Sequence, residues 1–347
     1  MKVCVITVTY NQEQYIAQAI EGVLQQKTDF PVELIIGEDC SPDHTRDIVK
    51  SYQGRYPERI RAIIHPSNVG GAENFRTIYD SADGDYTAMC EGDDYWTDPY
   101  KLQKQVTFLE THPEYSFSFH NVNVLDQQSG VSKPHFPPGS MMPKYTLANL
   151  LGGNFIQSCS VVYRRSNLPV LPQWLQKLPI GDWPIHMLHA EHGPVHCIDE
   201  IMGVYRILSS GNWANRPLAY RLERSIRTAL QFDTALNRKY ASRIGATVVN
   251  WYNTLITECQ NRKEIRSAFD YMLQALATVT EPALHSNYLT RYLSLFIDTI
   301  ATLVESGREQ DALTLYFTHA DRLPFVSELR KLDTIMTRLK EKTGTFS

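Results

Sequence analysis

No C-x-x-C pair and no close cysteine spacing occurs in this chain. Its six cysteines, Cys4, Cys40, Cys90, Cys159, Cys197 and Cys259, are scattered over 347 residues. That excludes a metal knuckle and leaves reduced, mostly buried thiols as the expectation. A long apolar run is missing as well: the best stretch, 293–304, falls short of the ~20 residues a spanning helix needs and is interrupted by Asp298. The opening MKVCVITVTYNQEQ carries neither a basic leader nor a small-residue cleavage site, so no signal peptide is expected. A cytoplasmic protein, at most peripheral at the inner face of the cell membrane, is predicted. Excess charge is also lacking, with 34 Lys and Arg against 38 Asp and Glu and a net charge of −4. Such a balance gives no general attraction for nucleic acid.

What is present is the composition of a folded protein, 43% apolar and 21% charged, long enough for about two domains at roughly 150 residues each. The charge is unevenly divided: residues 215–347 hold 18 basic and 14 acidic side chains, leaving 16 and 24 for residues 1–214. The two parts thus carry net +4 and −8. Residues 3–9 (VCVITVT) read as a strand buried on both faces. Asn11, with Gln14 in the manner of a capping box, then precedes a helix with apolar positions Ile16, Ala19, Ile20, Val23 and Leu24. The pattern recurs. Strands are expected at 32–37, 60–64 and 86–90, each followed by a helix, with Ser41-Pro42 opening the second helix. Four such units specify an α/β fold with a parallel sheet. Beyond them come a strand at YSFSFHNVNVL, a Pro-rich loop at 133–143, and a strand-like SCSVVYRR. After Trp213 the strand signals stop. Ile265, Phe269, Met272, Leu273 and Leu276 keep helical spacing, and 288–304 and 309–320 behave similarly. Two domains are predicted, 1–213 α/β and 214–347 all-α.

In α/β sheets, ligands bind beyond the carboxyl ends of the strands, and the polar clusters fall there: Thr9-Tyr10-Asn11, Glu38-Asp39, and Glu91-Gly92-Asp93-Asp94. The first of these loops has neither G-x-G-x-x-G nor G-x-x-x-x-G-K-[ST], which removes the dinucleotide fingerprint and the P-loop. The glycine-rich loop ending in a basic residue that sugar nucleotidyltransferases carry is absent too. Three carboxylates within four residues repel one another unless a cation lies between them, and hard oxygen ligands suit Mg²⁺ or Mn²⁺ with a diphosphate. Taken alone, each cluster has a plainer explanation: a solvated acidic turn at 91–94, a helix N-terminal acid at Asp39, packing at Tyr10, a helix cap at Asp182. His120, His186 and His189 read as structural or surface histidines, and Arg164-Arg165 as a solvated pair.

Together the blocks resemble the inverting family 2 glycosyltransferases of bacterial polysaccharide type, which have the GT-A fold. The matching segments are Thr9-Tyr10-Asn11; Glu38-Asp39-Cys40-Ser41-Pro42-Asp43-His44-Thr45; Asn68-Val69-Gly70 with Asn74; Gly84-Asp85-Tyr86; Glu91-Gly92-Asp93-Asp94-Tyr95-Trp96; and Gly181-Asp182-Trp183 with Asp199-Glu200 and Tyr205-Arg206. The resemblance implies that Thr9, Tyr10 and Asp39 hold the nucleotide base. It places Glu91 near the ribose, and Asp93 and Asp94 on a divalent Mn²⁺ or Mg²⁺ that bridges the diphosphate. Asp182 would be the general base in a single inverting displacement. UDP is the first expectation for the donor, with dTDP and GDP open, and the acceptor would be a glycan or a lipid-linked hydroxyl in cell-surface polysaccharide synthesis. Val8, Glu38, Glu91, Gly181 and Leu208 depart from the family pattern, Gly181 leaving one carboxylate for the base role and Leu208 replacing a common His. A GT-A scaffold without turnover and a nucleotide-sugar hydrolase are the alternatives. The basic helical part suggests peripheral membrane contact or self-association.

Overall fold

The apolar run at the start forms strand β1 (Val3–Thr9), buried along nearly its whole length. With β2 (Val32–Glu38), β3 (Ile60–Ile64) and β4 (Tyr86–Met89) it makes a parallel sheet in the order β3-β2-β1-β4. The crossovers contain helices α1 (Ile16–Leu24), α2 (Thr45–Arg55) and α3 (Gly71–Ser81). This computed structural model describes residues 1–137, 144–209, 211, 213, 215–262, 264–278, 294–301, 303–319, 336 and 337. The remainder of the Pro-rich loop, 138–143, lies outside the described residues, as do 288–293, 302 and 320 of the expected helices. Ile16, Ala19, Ile20 and Val23 of α1 are all buried in the core under the sheet, the two isoleucines and the valine each contributing about 1.5–3 kcal/mol.

Past β4 the sheet continues through shorter strands. β8 (Val162–Arg164) lies antiparallel to β4, β6 (Phe117–Asp126) antiparallel to β8, and β9 (Val195–Ile207) parallel to β6. β5 (Tyr95–Trp96) pairs with β9 at one end, and β7 (Ser132–His135) with β6. Register shifts around Asn121 bend β6 and β9 midway. Helices α4 (Lys101–Thr111), α5 (Leu147–Leu150) and α6 (Asp182–Ala190) connect these strands. The stretch read as one strand at SCSVVYRR is a short 3₁₀ turn, Ser158–Ser160, followed by β8. Arg164 is no solvated cation: it donates to the carbonyls of Tyr115 and Leu109 and to the Tyr86 hydroxyl, closing the end of α4.

Lys101 is fully buried, its Nζ 4.0 Å from the centroid of Trp96 and 3.4 Å from the Val161 carbonyl oxygen. Burial pushes its ammonium down from 10.5 to about 7. Each unit corresponds to about 1.4 kcal/mol, so Lys101→Met is expected to stabilise the fold by roughly 2–4 kcal/mol at pH 6–7. The folded pKa lies below the unfolded one, so the native state holds fewer protons between pH 7 and 10.5. Wild-type stability therefore rises with pH through that window, and the advantage of Met shrinks through it. Urea unfolding of both proteins at pH 6.5 and pH 9.5 checks this; an equal difference at the two pH values contradicts it.

The chain divides into compact units at Met1–Arg243 and Ile244–Ser347, about thirty residues beyond the boundary expected from the loss of strand signals. Helix α7 (Leu218–Ala235) belongs to the first unit because Phe232 packs edge-on against Trp174, and Arg224 donates to the Pro179 carbonyl. Helices α8 (Ala241–Asn261), α9 (Ile265–Thr278) and α10 (Glu309–His319) follow. In the second unit Phe269 and Met272 of α9 are fully buried, Phe269 against Phe296. Among the described residues no helix is long and apolar enough to cross a membrane, and all six cysteines are free thiols, four of them buried.

Candidate active site

The carboxyl ends of β1 and β2 are tied together by side chains. Asn11 turns the chain in the left-handed region at φ 55°, which Asn tolerates better than most residues. The next N–H groups have no intrahelical acceptor, and α1 begins only at Ile16 with no side-chain cap. Their partners come from the second block: Ser41 accepts from the Asn11 N–H, Thr45 from Gln12 and Asp43 from Glu13. Glu13 returns a carboxylate to the His44 N–H. The expected capping box at Asn11 and the Ser41-Pro42 helix start are thus both replaced by one interlock between two loops. Asn74 seals the far side, donating to the Gly37 carbonyl. A Cβ on Gly37 would lie 2.0 Å from its Oδ1, so only glycine fits.

The expected base-binding residues meet at this place. Tyr10 is 47% exposed at the mouth, a ring face available for stacking. Thr9 is buried and donates to Gln12 Oε1. Asp39 is buried, its two carboxylate oxygens accepting the Val69 and Gly70 N–H groups at 2.7 and 2.9 Å while the Asn68 amide holds its carbonyl. Glu38 points elsewhere, bound by the Ser41 N–H and the Arg46 guanidinium.

The acid loop follows β4. Gly92 packs where a Cβ would lie 2.4 Å from Gln12 Oε1 and 2.8 Å from Thr9 Oγ1, so the loop sits flush on the end of β1. Glu91 and Asp93 stay half-buried, whereas Asp94 is fully buried. Asp94 Oδ1 accepts the Arg206 N–H at 2.8 Å, and Arg206 also donates to the Asp93 carbonyl and to Gln18. The guanidinium lies over the rings of Tyr15 and Tyr95, 5.0 and 4.4 Å from their centroids. The sequence pairs Asp93 with Asp94; the structure separates them by depth, Asp93 half-buried and Asp94 fully buried.

Asp182 is the first residue of α6, where negative charge is favoured, and the Asn154 amide holds its Oδ2 at 3.0 Å. It faces the acid loop. Burial pushes the Glu91 carboxyl up to about 8, with the charges of Asp93 and Asp182 adding to it and a Ser158 hydrogen bond opposing. Burial likewise raises Asp93, and raises Asp94 well above the usual carboxylate range. Tyr205 is pushed up by burial and by all four of these carboxylates. None of the ion pairs among the described residues involves Glu91, Asp93 or Asp94. Arg206 bears on Asp93 and lowers its carboxyl against the effect of burial, and this half-open set of hard oxygen donors, outnumbering that one cation, fits a divalent metal. Tyr205 and Arg206 stand out in sequence only as a dipeptide; Gln12, Gln18, Asn154 and Ser158 give no sequence signal.

The family model for glycosyl transferase family 2 matches residues 4–168. Rv1520 of Mycobacterium tuberculosis is 43% identical over 210 residues, 60% of this chain and 60% of that protein, so the match spans less than two thirds of that relative. TuaG of Bacillus subtilis, named for teichuronic acid biosynthesis, is 30% identical over 223 residues, 61% of this chain and 82% of TuaG. Among solved structures, Staphylococcus aureus TarS 1–349 in complex with UDP-GlcNAc superposes with a TM-score of 0.59 at 17% identity, covering 94% of this chain and 93% of that one. That is a likeness of fold, and the fold is GT-A. With strand order, acid loop and relatives in agreement, the chain belongs to glycosyl transferase family 2.

Proposed function

We propose that this chain transfers a sugar from a nucleoside diphosphate sugar, UDP-linked in the first instance, to a hydroxyl of a glycan or lipid-linked acceptor, with inversion. The observation that supports the reading is that the loop after β4 and the start of α6 bring Glu91, Asp93 and Asp182 close enough for the charges of Asp93 and Asp182 to raise the Glu91 carboxyl. The names of TuaG and TarS support a place in cell-surface polysaccharide synthesis, and TarS with UDP-GlcNAc supports the donor class.

Asp93, with Glu91 beside it, would hold a divalent Mn²⁺ or Mg²⁺ on the diphosphate side. Bound there, such a cation supplies neutralisation of charge gathering on the departing diphosphate. Tyr10 stacks on the base, and Thr9 and Asp39 shape the floor of its pocket. Asp182 takes the proton of the acceptor hydroxyl as that oxygen forms its bond to the anomeric carbon. The carbon–phosphate-oxygen bond breaks on the opposite face, and its electron pair leaves with the nucleotide. A carboxylate in this role contributes roughly 10²- to 10⁴-fold. Asp94 and Arg206 hold the loop in place from below. The reaction would run in the cytoplasm, with the basic helical part as a surface for membrane or acceptor.

A panel of UDP-, dTDP- and GDP-sugars with Mn²⁺, read by thermal shift and released nucleotide, tests the reading. The expected result is a stabilising shift and turnover for a UDP-sugar, both lost with EDTA. No shift and no release with any member of the panel overturns it.

A further inference from the structure

Behind Asp182 lies a chain of buried polar groups that the reaction above does not use. His186 follows Asp182 by one helical turn on α6, so the two share a face. Its ring is fully buried, with Nε2 3.9 Å from Asp182 Oδ2 and no closer partner, while Nδ1 meets the Tyr163 hydroxyl from β8. A phenol can donate to an imidazole nitrogen only if that nitrogen is unprotonated. When the Tyr163 hydroxyl is the donor in this contact, the ring proton sits on Nε2, the nitrogen that faces Asp182. Tyr163 cannot turn away: His189 stacks flat on its ring at 4.2 Å, and Phe117 packs at 5.1 Å, all of them fully buried.

We propose that Tyr163 and His186 form a buried relay that positions Asp182: the tyrosine fixes the tautomer, and the imidazole N–H steers one carboxylate oxygen so that the other faces the acceptor. His186 is a positioning residue, not a plain structural histidine. Burial holds the ring neutral, opposed by the Asp182 charge, so it acts as an N–H donor and not as a cation. Asn154 holds the same oxygen, Oδ2, at 3.0 Å, and the imidazole at 3.9 Å is the outer of its two supports. The inference rests on the base assignment for Asp182.

The test uses the full chain and UDP-GlcNAc with Mn²⁺, following UDP release and ¹⁵N imidazole spectra. His186→Phe keeps the ring and removes both nitrogens; it is expected to lower kcat about 10- to 100-fold, the worth of a hydrogen bond to a charged group, with donor KM within about twofold. His186→Gln, which offers an N–H near the position of Nε2, restores most of that loss. In the spectra the His186 signal, identified by its absence in His186→Gln, should show protonated Nε2 and bare Nδ1, and its Nε2 resonance should move in Asp182→Asn. Wild-type kcat in His186→Phe, equal impairment in Phe and Gln variants, or the opposite tautomer overturns the relay. If His186→Phe does not fold, Tyr163→Phe carries the kinetic arm, with a several-fold loss of kcat expected and an unchanged kcat counting against the relay. Failure of the base assignment looks different: Asp182→Asn itself would turn over normally. Should UDP-GlcNAc not turn over, the tautomer and its response to Asp182→Asn decide alone.

Discussion

Replacing Asp182 by Asn is expected to lower turnover by roughly 10²- to 10⁴-fold while donor binding stays within about twofold of the wild type. The amide has the shape of the carboxylate and can still accept from Asn154, which holds Oδ2 at 3.0 Å, so the head of α6 should keep its place. What is lost is the basic oxygen. No neighbour can replace it on the helix, because Gly181 stands where a second acid is common in the family. Glu91 is near, but its carboxyl is pushed up to about 8 and lies in the acid loop. Calorimetric donor titration separates binding from chemistry, and nucleotide release measures the chemistry. Wild-type turnover in Asp182→Asn would remove Asp182 from the base role and leave the fold and family unaffected.

The parallel half of the sheet was legible because β1, β4 and most of β2 are buried and the half-buried β3 is still apolar but for Arg61, so all four read as apolar runs with helices between them. The other half was not. β5 has two residues, and β7 is the exposed, proline-containing Ser-Lys-Pro-His. β9 carries Asp199 and Glu200 in its middle, where a register shift turns the strand. Short and irregular strands of this kind exist through pairing with partners distant in sequence, a tertiary effect that local pattern does not contain. The start of α1 failed for a related reason. Asn11 and Gln14 look like caps, yet the N–H groups there are satisfied from Ser41, Asp43 and Thr45 some thirty residues on.

At the site, positions were legible and depths were not. Tyr10, Asp93 and Asp182 stand where strand ends and a helix start place them, and all three keep some exposure. Asp39 looks like an open acid in the sequence, but its two oxygens are taken by Val69 and Gly70. Arg206 acts on Asp94 across 112 positions of sequence. His186 shows no spacing that marks it out until Tyr163 arrives from another strand.

That difference in depth separates two adjacent aspartates by experiment. Asp93→Asn is expected to raise the Mn²⁺ concentration for half-maximal turnover at least tenfold, about 1.4 kcal/mol, and to erase the thermal shift given by metal with UDP. In the wild type that shift should reflect about 2.7 kcal/mol at a ligand concentration a hundredfold above Kd. Asp94→Asn should change the metal requirement by no more than about threefold. Asp94 is fully buried, its Oδ1 serves the Arg206 N–H, and burial with the charges of Asp93 and Glu91 pushes its carboxyl well above the usual carboxylate range. Removing a buried carboxyl from a group of like charges costs little when the amide keeps the same acceptor. Metal titrations of both variants, with unfolding curves in EDTA as the control for folding, give the answer. A large metal defect in Asp94→Asn and a small one in Asp93→Asn would exchange their roles, which would require the loop to turn over when the donor binds.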